Sequence, residues 1–266
     1  MKHAIAVLAA LFIAQPGLAA GKPVKPPAVT AAPNAYDLYV AGKFDAAMKT
    51  GEAANNALGY VTAARAAMAD AQLRSDPCLD CLHRAEEYAR KAITLDNSVA
   101  DAHVYLAVAM GLEARIVGPV WARARNYPGK AKDELDMALK LNAKDAWALG
   151  ALGGWNIEIV RTGGADMASL FYGASTEAGL AAFAAAFKQA PDNLSLRYQY
   201  ALSLSGYDPV RFRKQIDDAF ARVAKLNPAT AYETAAQRRA AELAVLLKKD
   251  DREPFDAKVR KYQGYP

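Results

Sequence analysis

The sequence predicts an all-α fold, a superhelical array of antiparallel helix pairs with insertions between the pairs. Three observations carry this. Hydrophobic residues make up 53% of the chain and charged residues 23%, the balance of an ordered globular protein; alanine is heavily used and β-branched runs are almost absent. Apolar residues recur at spacings of three and four, the period of a helix with one buried face. A motif of stripe, polar turn and second stripe returns at five places, which is how stacked units look when none can bury its apolar face alone.

The segment Lys130 to Ile157 shows the unit most clearly. Its first helix sets Ala131, Leu135 and Ala138 on one stripe, and Asn142-Ala143-Lys144-Asp145 interrupts it with turn formers. Its second helix carries Ala146, Leu149, Gly150, Gly153 and Ile157. The small residues matter because only small side chains let two helices approach to about 8 Å.

Taken in order, residues 1–20 carry the features of a secretory signal peptide: a basic start at Lys2, an apolar run from Ala4 to Ala14 too short for a bilayer, and the small-residue exit Leu18-Ala19-Ala20. Export to a periplasm is expected. Residues 21–33 are Pro-rich and read as an extended linker, and residues 34–249 as the helical repeat domain. Tyr36 to Ala41 is a helix stopped by Gly42, and Phe44, Ala47, Gly51 and Ala54 form the next stripe. A helix then runs from about Asn56 to Leu73 and ends before Asp76-Pro77.

Leu82, Ala85, Ala89 and Ala92 form a stripe, Asp96-Asn97-Ser98 a turn, and Ala102, Tyr105, Leu106 and Met110 the answering stripe. Gly111 to Gly129 reads as irregular. After the central unit, Arg161 to Gly164 is a break, followed by a short helix from Ala165 to Tyr172. Gly179, Phe183 and Ala186, the turn Pro191-Asp192-Asn193, and Tyr198, Ala201 and Leu204 repeat the theme. Ile216, Phe220 and Val223, the turn Asn227-Pro228 and a helix through Leu247 end the array. Residues 250–266 are expected to supply a capping helix, Glu253 to Tyr262, and a tail. Ala54, Ala92, Ala138, Ala186 and Val223 hold the same place in successive first helices, at intervals longer than the ~34 residues of a regular helical-hairpin repeat.

In KAITLDNSVADAHVYLA, MALKLNAKDAWALGALG and AFKQAPDNLSLRYQYAL, each an Ala-rich helix end, a polar turn and a new helix, the chain resembles the tetratricopeptide repeat (TPR) family. The resemblance covers about two-thirds of the mature chain. LGALGGWNIEIV, followed by a Gly-containing break, LFYGAS and an Ala-rich repeat, also resembles the regulator of microtubule dynamics family and its exported bacterial relatives. There is some likeness to the TPR-type component of periplasmic TRAP transporter systems. These resemblances imply a TPR-like α-solenoid that binds other proteins or peptides. An exported protein is not expected to meet microtubules, so only the architecture carries over.

Lys and Arg number 33 against 28 Asp and Glu, a net charge of +5. The basic residues are scattered, which points to a solvated surface and away from nucleic acid. No segment beyond the leader approaches the ~18 consecutive apolar residues of a membrane span.

The most chemical-looking stretch is Cys78-Leu79-Asp80-Cys81-Leu82-His83. Haem attachment needs histidine directly after the second cysteine, and Leu82 intervenes. Two cysteines and one histidine fall short of a four-ligand zinc site, and no strand precedes them as in a thioredoxin-like pair. Two readings stay open: a local disulfide between Cys78 and Cys81 opening a helix in an oxidising compartment, which is favoured, and two buried free thiols. Gly163-Gly164 reads as a linker turn, His103 as a packed side chain, and Asp133, Glu134 and Asp136 as a solvated face. No nucleophile–base pair is visible. Metal, cofactor and catalysis are therefore not expected.

If the second helix of each pair lines a concave side, then Asp101, Tyr105, Trp147, Glu158, Tyr198 and Gln199 project into it. Trp147 and Glu158 are eleven residues apart, close to three helical turns, and so share a face. Aromatic groups flanked by polar ones suit a peptide partner, although the same aromatics also fit packing between repeats. Trp121 with Arg123 and Arg125 reads either as a second contact surface or as a loop folded onto the array. The expected function is an exported scaffold that binds a protein or peptide partner in its groove. The rival is a periplasmic helical protein that binds a small ligand or cofactor.

Overall fold

The computed structural model describes residues 34–266. The signal-peptide reading and the linker, residues 1–33, lie outside the described residues. Among the described residues every regular element is a helix, fourteen in all, and none is long and apolar enough to cross a membrane.

α1 (Ala35–Val40) opens with a reciprocal cap. The Asn34 side-chain oxygen accepts from the Asp37 N–H at 2.9 Å, and the Asp37 carboxylate accepts from the Asn34 N–H. α2 (Phe44–Ala53) and α3 (Ala57–Leu73) meet backbone to backbone, since a Cβ on Gly51 would stand 2.4 Å from the Gly59 carbonyl oxygen. Ala54, expected on the buried stripe, is instead the exposed C-cap of α2, and Gly51 takes the buried place. α3 is buried almost all round because its run Ala63, Ala64, Ala66 and Ala67 admits α2, α4 (Leu79–Leu95) and α5 (Ala100–Val117) at close range.

The stretch Gly111 to Gly129, expected to be irregular, is largely helical. α5 continues through Gly111, where a Cβ would meet nothing, to Val117. Gly118 then turns the chain with φ 82° and ψ 165°, a conformation that is essentially glycine-only. α6 (Pro119–Ala124) follows with proline at its first position, where the missing N–H costs nothing, and α7 (Tyr127–Leu141) begins three residues before the expected start.

α8 (Ala146–Gly163) is capped by Asp145, whose carboxylate accepts from the Ala148 N–H at 2.9 Å. It runs through the expected break at Arg161 and stops at Gly164, φ 77° and ψ 159°, nearly the backbone of Gly118. α9 (Ala165–Tyr172) leaves from there. Thus two eighteen-residue helices, α5 and α8, each end in a glycine turn that launches a short helix.

α10 (Thr176–Gln189) is capped by Ser175, while Thr176 bonds the Tyr207 hydroxyl at 3.1 Å. It lies along α8 and only touches α11 (Leu194–Tyr207). That close approach rests on Gly153, where a Cβ would stand 2.6 Å from the Phe183 ring. α12 (Arg213–Val223) packs on α11, and α13 (Ala231–Lys249) and α14 (Arg252–Tyr262) complete the chain. α13 also reaches back to α1 and α3, so the last long helix meets the first ones.

Candidate functional site

The helices enclose a hollow of about 1050 Å³. Its wall is formed by the inner faces of α5, α8 and α11, completed by α3, α13 and the tail after α14, with α6 and α9 at one rim. Most of this wall is apolar, with Val108, Leu112, Ala151, Trp155 and Ile159 among the lining residues. The Trp155 indole N–H donates to the Pro128 carbonyl at 3.0 Å, which fixes the ring against α7.

Two charged clusters interrupt the apolar lining. In the first, the Arg65 guanidinium of α3 stands 5.6, 5.7 and 5.3 Å from the rings of Tyr36, Tyr39 and Tyr105, within cation–π reach of all three. It donates to the Tyr105 hydroxyl and to the Asp101 carboxylate. Burial raises the Asp101 carboxyl although Arg65 opposes it, and burial raises the Tyr105 phenol.

In the second, Glu158 of α8 accepts from Arg161 at 2.6 Å, from Arg115 of α5 at 3.3 Å, and from the Tyr265 hydroxyl of the tail. Burial alone raises such a carboxyl, but the two guanidinium groups and the hydroxyl overrule it and hold Glu158 at about 2. Burial pushes the Tyr265 phenol up to about 12. Arg115 also donates to the Gln263 carbonyl at 2.9 Å, so this cluster ties the tail to α5 and α8.

An uncharged network closes the wall between the first and last helices. Gln199 of α11 donates to Tyr232 of α13 at 2.7 Å and to Gln72 of α3 at 3.3 Å, and Tyr232 donates to the same Gln72 oxygen at 3.1 Å. Arg239 donates to the Gln72 backbone carbonyl at 2.8 Å.

Of the residues expected to project inward, Tyr105, Trp147, Glu158 and Gln199 line the hollow. Asp101 stands behind the wall, bonded to Arg65. Tyr198 is corrected outright: it is 1% exposed and sits in the core. Its neighbour Gln199 takes the wall position on α11, and the ~100° step between them turns Tyr198 back into the core. Cys78 and Cys81 are joined by a disulfide at the start of α4, away from the hollow. The Cys78 sulfur caps the helix by accepting from the Cys81 N–H at 3.2 Å. His103 is buried, with Nδ1 2.6 Å from the Glu134 carboxylate and Nε2 3.1 Å from the Asn97 carbonyl.

Sequence reasoning missed Arg65, Gln72, Arg115, Arg161, Tyr232 and Tyr265. Arg65 had a signal, being the only charged side chain in the run from Val61 to Ala69; a lone arginine on so apolar a helix needs a partner. Arg161 had one too, standing three residues from Glu158 on a helix; Gln72, Arg115, Tyr232 and Tyr265 draw their roles from contacts far along the chain and carry no local mark.

The family model described as Regulator of microtubule dynamics protein 1-3 matches residues 44–248, more than three-quarters of the chain, from the first residue of α2 to the last turn of α13. No curated protein matches the chain.

Proposed function

The chain belongs to the regulator of microtubule dynamics protein 1-3 family, and on that premise we propose that it is a TPR-like scaffold. Stacked antiparallel helix pairs receive an extended peptide segment of another protein in the hollow, and the protein performs no catalysis of its own. The observation that carries this reading is the wall itself. It is largely apolar, and the charged groups of its two clusters already satisfy one another, Arg65 with Asp101 and Glu158 with Arg115 and Arg161. Such a lining accepts chain-like apolar material while its two charged clusters fix direction. Trp147, 36% exposed on the wall, is the natural anchor.

We place the protein in a bacterial periplasm on the leader-like pattern of residues 1–20, and the Cys78–Cys81 disulfide suits an oxidising compartment. A second reading, a small amphiphilic ligand or a cofactor, is favoured by one feature. The Gln72–Gln199–Tyr232 network draws α3, α11 and α13 together and closes the wall on that side, and the volume lies just above the ~300–1,000 Å³ range of ligand pockets.

Capture from periplasmic extract tests the scaffold reading. The parent is expected to retain a partner that Trp147→Ala and Gln199→Ala lose, with the buried-core variant Tyr198→Phe unaffected. Equal capture by parent and wall variants sinks it. Native mass spectrometry of the purified chain separates the readings, since a co-purifying small molecule supports the second.

A further inference from the structure

Twelve large hydrophobic side chains are exposed among the described residues, and five of them, Val120, Trp121, Met167, Leu170 and Phe171, lie on the short helices α6 and α9. Val120 is 78% exposed, Leu170 76% and Trp121 62%. Each helix is amphipathic by construction. Ala122 and Ala168 turn inward and are buried at the rim of the hollow; Val120, Trp121 and Leu170 point away from it, and Met167 and Phe171 stand exposed at its mouth. The two helices stand together, because the Arg123 guanidinium of α6 lies 5.1 Å from the Phe171 ring of α9.

The charge on this surface has one predominant sign. α6 contains no acid, Asp166 is the only one on α9, and neither Arg123 nor Arg125 has a carboxylate within 4.0 Å among the described residues. Arg125 lies 6.0 Å from the Trp121 ring. Tryptophan, leucine and phenylalanine flanked by unpaired arginines match the layered chemistry of a bilayer surface, where apolar groups enter the acyl boundary and guanidinium groups stay with phosphates. Five side chains on two short helices fall well short of the ~20–30 residues a side of a stable protein interface. At six and eight residues the helices are far too short to span a bilayer.

We propose that α6 and α9 together form a docking surface for an anionic lipid bilayer, on which the protein sits with this rim of the hollow against the headgroups. The inference does not depend on what the hollow holds.

Vesicle flotation with the full chain tests it, using phosphatidylcholine alone and phosphatidylcholine mixed with phosphatidylglycerol. The parent is expected to float with the anionic vesicles and poorly with the neutral ones. Trp121→Glu and Leu170→Glu should each lower the partition by about tenfold. Arg123→Glu with Arg125→Glu should remove the preference for anionic lipid. Leu58→Glu, at an exposed apolar residue on α3, should leave binding unchanged, and circular dichroism should show all variants folded.

The proposal falls if the parent floats with neither vesicle, if the α6 and α9 variants float as well as the parent, or if Leu58→Glu loses as much as they do. It also falls if the parent is a dimer in solution and Trp121→Glu a monomer, because the surface is then covered by a second copy.

Discussion

Glu113 and Glu158 stand within one residue of the same position on α5 and α8, and the protein treats them in opposite ways. Glu158 is ringed by donors: Arg115, Arg161 and the Tyr265 hydroxyl bring it down to about 2 against the pull of burial. Glu113 is fully buried. The Tyr127 hydroxyl donates to its Oε2 at 2.9 Å, and the His83 ring nitrogen lies 3.4 Å away. Burial, reinforced by the neighbouring Glu86 carboxyl, pushes Glu113 up to about 7, with Arg125 too weak an opponent to prevent it. Burial therefore prevails at Glu113, where its donors are few and weak, and is outweighed at Glu158 by the number and charge of the donors. One glutamate is a permanent anion that fastens the tail to α5 and α8. The other holds a proton until the solution approaches neutrality.

The largest test of this contrast is Glu158→Gln. Removing the anion leaves Arg115 and Arg161 partly buried without their counter-ion, and a loss of about 3 kcal/mol in unfolding free energy is expected. The pH dependence gives the same sign. A carboxyl whose folded pKa lies at about 2 against an ordinary 4.5 contributes stability above 4.5 and loses it as the pH falls toward 2. Urea unfolding of parent and variant should accordingly differ most near neutrality and converge in acid. A constant difference down to the acid end would show that Glu158 is not the titrating group.

Glu113→Gln should act in the other direction. A carboxyl raised from 4.5 to about 7 contributes stability that is full below 4.5 and lost as the pH rises through 7. The amide cannot ionise. It should match the parent in mild acid and exceed it by on the order of 1 kcal/mol at mildly alkaline pH, read as thermal melts at the two conditions. A variant less stable than the parent at alkaline pH would mean that the buried carboxylate is better solvated than its surroundings imply.

The same contrast marks what was legible in the sequence. The stripe Ala131, Leu135 and Ala138 is buried as its spacing requires, and Gly153 meets Phe183 where a small residue was needed. Both follow from helical periodicity, which is a local property. Trp147 and Glu158 share the hollow because eleven residues is close to three turns. The glycine at 111 misled, because glycine reads as a breaker, whereas in open space on α5 its cost is only about 1 kcal/mol. The opposite fates of Glu113 and Glu158 were legible only in part. Arg161, three residues along α8 from Glu158, is a local sign of an ion pair, whereas Tyr127, Glu86 and Tyr265 arrive from other parts of the chain and leave no mark beside either glutamate.

Two tyrosine substitutions sharpen the comparison at finer scale. Tyr265→Phe removes one of the donors to Glu158 and leaves both arginines. The expected loss is about 1 kcal/mol, with the acid transition of the parent–variant difference shifted to higher pH. Tyr127→Phe removes the hydroxyl that donates to Glu113. Because Glu113 is already protonated in mild acid, the loss there should be smaller, about 0.5 kcal/mol. Its diagnostic effect lies elsewhere. That hydroxyl is a group lowering the Glu113 pKa, so without it the carboxyl should keep its proton to still higher pH. Infrared detection of the protonated carboxyl, with Glu113→Gln as the blank, follows this directly. An unshifted titration in Tyr127→Phe would assign the control of Glu113 to His83 and Arg125 and leave the hydroxyl a purely structural part.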